Sequence, residues 1–216
     1  MRETVEVVRA LLHDGTVSFH GKTIAIERFD LWFKPLHKSV PIYLSALFPK
    51  MLELCGEIAQ GLLMVFSTRE SARNALEHLA AGAARAGRSV SDIEIATLLP
   101  TSVDRDRKTA YDRVRPVLSF YVGFFPRYRR LVSEAGFGKA AAAAAEAFAR
   151  SDQQRSLAAI PDEMVAALTV SGTATDARAR IVEYRRSGIA LPILMPVASA
   201  ETDLAEVVAT LRACIE

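Results

Sequence analysis

The sequence is poor in the residues that carry most metal and redox chemistry: 216 residues hold two cysteines, four histidines and one tryptophan. Cys55 and Cys214 have neither metal-ligand nor redox-motif spacing, so both read as buried free thiols. His13, His20, His37 and His78 stand on helix, hairpin or connector positions, with no carboxylate or metal-ligand spacing around them. No metal site is expected. The charge is almost balanced, 27 basic against 25 acidic residues, which gives no electrostatic footprint for nucleic acid or for a membrane surface. No apolar run approaches the roughly 20 residues of a spanning helix. The opening Met1-Arg-Glu-Thr-Val-Glu is too acidic and too periodic for a signal peptide, so a cytoplasmic protein is expected. Half the residues are hydrophobic, enough for one domain over 1–216 with a real core.

The organising stretch runs from Val40 to Phe66. A short apolar run, Ile42 to Leu44, breaks at Ser45, turns at Phe48 and Pro49, and then changes to helical spacing, with Met51, Leu54, Cys55 and Ile58 on one face. Pro49 suits the first helical position, where a missing N–H leaves nothing unpaired. Gln60 and Gly61 close that helix, and Leu62 to Phe66 is apolar at every position, the pattern of a strand buried on both faces in a parallel sheet. This is one βαβ unit. The loop between strand and helix leads into a helix N-terminus, where free amides and the dipole favour an anion such as phosphate. Lys50 in that first turn is either a partner for the anion or a solvated surface lysine.

The run from Pro41 to Gly61 resembles the signature segment of the bacterial luciferase-like monooxygenases. Glu3-Thr-Val-Glu-Val-Val-Arg-Ala-Leu-Leu, the Gly21-Lys22 hairpin and Val170-Ser-Gly-Thr173 agree with it. The resemblance implies an α/β fold, specifically the second half of a (β/α)8 TIM barrel from about the fourth barrel helix onward. It implies a flavin- or F420-dependent oxidoreductase or monooxygenase, acting on paired donors with O2 or by hydride transfer, with FMN or coenzyme F420 and a small-molecule substrate as partners. On that implication Ser45, Ala46, Leu47, Phe48, Pro49 and Lys50, with Ser67 and Thr68, hold the phosphate end of the cofactor. The family commonly has glycine at the place of Phe48 and aspartate at that of Gln60. Its groups nearest the reacting ring lie mostly on early strands absent here, so no catalytic residue is assigned. The alternative is a non-catalytic truncated remnant, or a partner subunit that keeps the fold.

Elsewhere the patterns are structural. Val5, Val8, Leu11 and Leu12 mark a helix that stops at Gly15, and Val17 to Ile26 reads as a small hairpin. Phe29 to Leu36 is an apolar connector expected to pack, with Trp32 read as core rather than as a flavin-stacking ring. Ser67 and Thr68 either contact a ligand at a strand end or cap the helix that follows, from about Arg69 to Ala86. Ile93 to Leu99 is the third strand, with a helix from Asp104 to Phe120 beyond it. Residues 121–168 form a helical insertion, in which Arg127, Arg129 and Arg130 mark a solvated face. Gly136 to Lys139 fails as a phosphate loop because Ser133 and Ala140 stand where glycine and a hydroxyl are needed. Pro161 to Glu163 start a helix with Met164, Val165 and Leu168 inward, and Thr173 with Asp176 starts another as a capping box. Leu191 to Val197 is the fourth strand, and Leu204, Val207, Val208, Leu211 and Ile215 stripe a closing helix. Four strands make half of a barrel, whose unpaired edges, the Ile42 and Leu191 strands, invite pairing with a second copy.

Overall fold

A computed structural model describes residues 1–198 and 204–215. In chain order the elements are α1 (Arg2–Asp14), β1 (Thr16–His20), β2 (Ala25–Asp30), β3 (Tyr43–Ser45), α2 (Pro49–Ile58), β4 (Gly61–Val65), α3 (Arg69–Arg85), β5 (Glu94–Val103), α4 (Arg107–Phe124), α5 (Pro126–Val132), α6 (Gly138–Ala149), α7 (Gln153–Ala158), α8 (Asp162–Leu168), β6 (Val170–Gly172), α9 (Ala174–Arg186), β7 (Leu191–Pro196) and α10 (Leu204–Ile215). They gather into two compact units, Met1–Leu62 with Glu77–Glu94, and Leu63–Leu76 with Ile95–Glu216.

In the first unit α1 ends where Gly15 turns left-handed at φ 76, a conformation glycine adopts without a Cβ penalty. The hairpin is antiparallel, with an irregularity between Val17 and Phe19. Its turn is clamped by Glu3, whose carboxylate accepts the backbone N–H groups of Lys22 (2.8 Å), Thr23 (2.9 Å) and Ile24 (3.0 Å), and the Thr23 hydroxyl at 2.8 Å. These bonds, the Thr23 amide first, pull the Glu3 pKa from 4.5 to about 2. A depressed carboxylate stabilises the fold above its unfolded pKa and loses that contribution as pH falls through the folded one. Protection of the amides at residues 22–24, taken relative to their intrinsic exchange rates, is therefore expected to fall between about pH 4.5 and about pH 2. Glu3→Gln should leave that protection low and flat across the window, and a wild-type-like profile in the variant would rule the clamp out.

Several expectations are corrected in this unit. The α1 stripe is turned: Val5 and Val7 are buried, whereas Val8 is exposed. α2 buries Leu52, Cys55 and Gly56 rather than the Met51, Leu54 and Ile58 edge, because Gly56 lets α3 approach that side closely. It ends at Ile58, and Gly61 opens β4 instead of closing the helix, since the Tyr43 ring fills the space a Cβ there would need. The Phe29–Leu36 connector does not pack: Trp32 is 91% and Leu36 96% exposed. Carboxylates do stand beside three histidines, Asp14 at 2.7 Å from His13, Glu53 at 3.5 Å from His78 and Glu27 at 3.8 Å from His20.

The second unit is built on parallel strands. β5 pairs with β6, Thr101 opposite Val170, and with β7, Ala96 opposite Leu191, so the last strand does not follow β6 in order. Val170 to Gly172 is thus a strand that the pattern missed, being three residues long and showing no alternation. β5 runs on to Val103, and α4 begins after Asp106, whose carboxylate caps the amides of Lys108 and Thr109. Residues 121–168 hold the last turn of α4 and helices α5 to α8, with Met164, Val165 and Leu168 buried as the spacing predicts. Both bonds of the Thr173–Asp176 capping box form. The α10 stripe is narrowed: Thr210 and Cys214 are buried, Val207 and Leu211 are half-buried beside them, and Leu204, Val208 and Ile215 are exposed. The architecture is α/β with a parallel sheet.

Candidate functional site

Two strand exits carry the residues singled out above, one in each unit. In the first unit β3 ends at Ser45, and the chain reaches α2 through Ala46, which is buried, and Leu47 and Phe48, which are half-buried. Phe48 is extended, φ −126 and ψ 155, and its carbonyl accepts the amides of Met51 and Leu52 at 3.0 Å each. Pro49 occupies the first turn of the helix, as its chemistry requires. No side chain caps this end and its first turn contains no acid. Lys50 is exposed there. A helix start without cap or acid keeps its positive dipole end unmatched, which favours a bound anion.

In the second unit β4 ends at Val65, and Phe66, Ser67 and Thr68 lead into α3. Ser67 is buried, with its Oγ 2.6 Å from Thr97 Oγ1. The Ser67 carbonyl accepts the Tyr184 hydroxyl at 2.9 Å. Thr68 behaves as a cap: its Oγ1 accepts the Ser71 amide at 3.1 Å, and its own amide donates to Ser71 Oγ at 2.7 Å. Phe66 is left-handed, φ 52, with no glycine to allow it. Its ring meets Tyr121 and Tyr128 edge-on, at centroid distances of 4.7 and 5.9 Å. Of these, sequence reasoning missed the Phe66 conformation, Thr97 and Tyr184. A hydroxyl residue inside the apolar run from Ile93 to Leu99 is the one available signal, and it points to Thr97.

The second unit also has a cavity of about 730 Å³ beside Val103 and Thr173, at the carboxyl ends of β5 and β6. Arg113 on its wall contacts Ser102 Oγ (3.2 Å), Asp104 (3.1 Å) and Glu206 (3.3 Å), so its charge is already matched. The Asp106 amide, and then Arg113, hold the Asp104 carboxyl below the usual carboxylate range. Among the described residues no cluster of His, Cys, Asp or Glu is placed to hold a metal ion, and no helix is long and apolar enough to cross a membrane.

The family model described as luciferase-like monooxygenase matches residues 1–191. Over 192 residues the chain is 33% identical to the 5,10-methylenetetrahydromethanopterin reductase of Archaeoglobus fulgidus, covering 88% of this chain and 57% of the relative. The reductase of the same name from Methanolobus tindarius is 31% identical over 190 residues, with 87% and 57% covered. Among solved structures, the coenzyme F420 dependent tetrahydromethanopterin reductase from Methanopyrus kandleri superposes with a TM-score of 0.81 at 25% identity, over 98% of this chain and 60% of that one. The FMN complex of the oxygenating constituent of 3,6-diketocamphane monooxygenase from Pseudomonas putida gives 0.61 at 15% identity over 98% and 60%, a likeness of fold alone. The chain spans 57% of the length of each of these two curated reductases.

Proposed function

The chain belongs to the luciferase-like monooxygenase family, and from that premise we propose that it is part of a coenzyme F420- or FMN-dependent oxidoreductase and grips the phosphate end of the coenzyme where α2 begins. The observation that carries this reading is the α2 start at the carboxyl end of β3, without side-chain cap or acid and with Lys50 in its first turn. Of the two coenzymes F420 is favoured, because the curated relatives at 33% and 31% identity are reductases and the Methanopyrus kandleri structure is that of a coenzyme F420 dependent enzyme. A bound deazaflavin or flavin supplies the hydride chemistry, or with FMN the oxygen chemistry.

The residues of this chain bind and orient. At the β3 exit the Lys50 amide and ammonium would meet phosphate oxygens, and Ser45 adds a hydroxyl. Phe48, where the family commonly has glycine, narrows the approach of the backbone. In the second unit the hydroxyls of Ser67 and Thr68, the Ser67 carbonyl and the Thr68 amide and carbonyl are all engaged inside the protein. The small-molecule substrate takes the cavity beside Val103 and Thr173.

Fluorescence titration of the purified chain with F420 and with FMN tests the reading, with Lys50→Glu as its variant. Wild type should bind at least one coenzyme, and Lys50→Glu should weaken that binding by about tenfold, the loss of a charge-assisted contact. The same change puts an acid against the positive dipole end, so thermal stability should rise by the equivalent of about 0.3–1 kcal/mol. Affinity and stability moving in opposite directions separates a phosphate contact from damage to the fold. No binding of either coenzyme would sink the proposal and leave a non-catalytic remnant as the account of the chain.

A further inference from the structure

A folded chain rarely leaves several large apolar side chains together in water, and the largest such patch on a typical monomer covers about 300–600 Å². The connector after β2 reaches that range within eight residues. Trp32 and Leu36 stand almost wholly in water, and Phe29 and Phe33 are 48% and 49% exposed. The Trp32 and Phe33 rings meet edge-on, with centroids 5.2 Å apart, so the two make one aromatic face. Val40, farther along the same connector, is exposed as well.

At about 200 Å² for a whole aromatic side chain, residues 29, 32, 33 and 36 alone present on the order of 600 Å² of apolar surface. A stable pair of proteins covers about 800 Å² on each partner, part of it a polar rim. The area is therefore that of a protein contact. Its charges say which protein. Before the apolar residues in the chain comes Glu27, an exposed carboxylate 3.8 Å from His20, while Arg28 and Asp30 neutralise each other at 2.9 Å. After Phe33 come Lys34 and Lys38, and among the described residues no carboxylate lies within ion-pairing reach of either. A face with an acid on one side and cations on the other is complementary to itself when turned by a two-fold axis. An anionic lipid surface would be repelled by the acid.

We propose that the Phe29–Leu36 face is an interface between two copies of this chain, related by a two-fold axis that sets Glu27 of each copy against Lys34 and Lys38 of the other. Trp32 and Leu36 leave the water with their counterparts, and this burial drives the association. The ion pairs at the rim fix its orientation. Coenzyme binding is neither required for the contact nor implied by it.

Sedimentation equilibrium tests this on wild type, Leu36→Lys, Glu27→Lys, Lys38→Glu and the last two combined. Wild type at about 100 µM and low salt should have twice the mass of one chain. Leu36→Lys should weaken the association by about a hundredfold or more, with a thermal midpoint within about 2 °C of wild type because the side chain supports nothing in the single copy. Glu27→Lys and Lys38→Glu should each weaken it by about tenfold, and the combined variant should return to within about threefold of wild type. Salt at about 0.5 M should shrink these charge effects. A single-chain mass for wild type at about 100 µM would overturn the proposal and leave the face to another polypeptide. A dimer indifferent to Leu36→Lys would overturn it too, by putting the contact elsewhere, as would a combined variant as weak as either single one. Co-sedimentation of a single-copy chain with phosphatidylserine vesicles would assign the face to lipid and overturn it as well.

Discussion

Gly82→Ala should lower stability by about 2–3 kcal/mol, although helix propensity alone predicts a gain of about 1 kcal/mol. The two effects oppose each other, and the geometry decides between them. A Cβ on Gly82 would stand 1.9 Å from the Glu53 carbonyl oxygen, and one on Gly56 would stand 2.3 Å from the Leu79 carbonyl oxygen. Both obstacles are backbone, which cannot rotate aside, so α2 and α3 must move apart and lose their packing. For a unit of this size the loss corresponds to a fall of roughly 10–20 °C in thermal midpoint. Gly138→Ala in α6 is the matched control: φ there is −57 and the nearest atom to a new Cβ is 3.5 Å away, so it should be neutral or stabilising by up to about 1 kcal/mol. Circular dichroism melts of the two variants check this, and a Gly82→Ala protein as stable as wild type would mean that the helices do not meet as described.

Phe66 gives the second large effect, and its sign pattern is unusual. Phe66→Ala removes a buried ring that contacts Tyr121 and Tyr128, a change that typically costs about 3–5 kcal/mol. Phe66→Gly removes still more, yet glycine holds φ 52 without strain. The glycine variant should therefore be the more stable of the two by about 1 kcal/mol, the reverse of the order expected at an ordinary strand position. Urea denaturation followed by far-UV circular dichroism measures the difference. If alanine proves the more stable, the left-handed conformation of residue 66 is refuted.

Features fixed by neighbours in sequence were legible from the residues. The Thr173–Asp176 capping box, the end of α1 at Gly15 and the Pro49 start of α2 each depend on groups within three or four positions, and each is where the pattern puts it. Features fixed across the fold were not. β6 is a strand only because β5 pairs with it, Trp32 is exposed because nothing described covers its connector, and the inward face of α2 is set by a glycine contact with α3. The candidate site divides along the same line. The strand-to-helix corner at Ser45–Lys50 could be read from a change of hydrophobic period, whereas the hold of Tyr184 on Ser67 spans half the chain and leaves no local trace. The α10 stripe held only at its centre, Val207 and Leu211, for a related reason: hydrophobic spacing names a face, but the contacts of its neighbours choose Thr210 and Cys214 to be inside.

The exposed connector gives the protein a property of practical use. Its single indole, Trp32, is 91% in water, so the whole of the chain's tryptophan emission comes from one solvent-bathed probe. Emission should be red-shifted and readily quenched by iodide in the isolated chain, and any molecule that settles on residues 29–36 will announce itself as a blue shift, with no label attached.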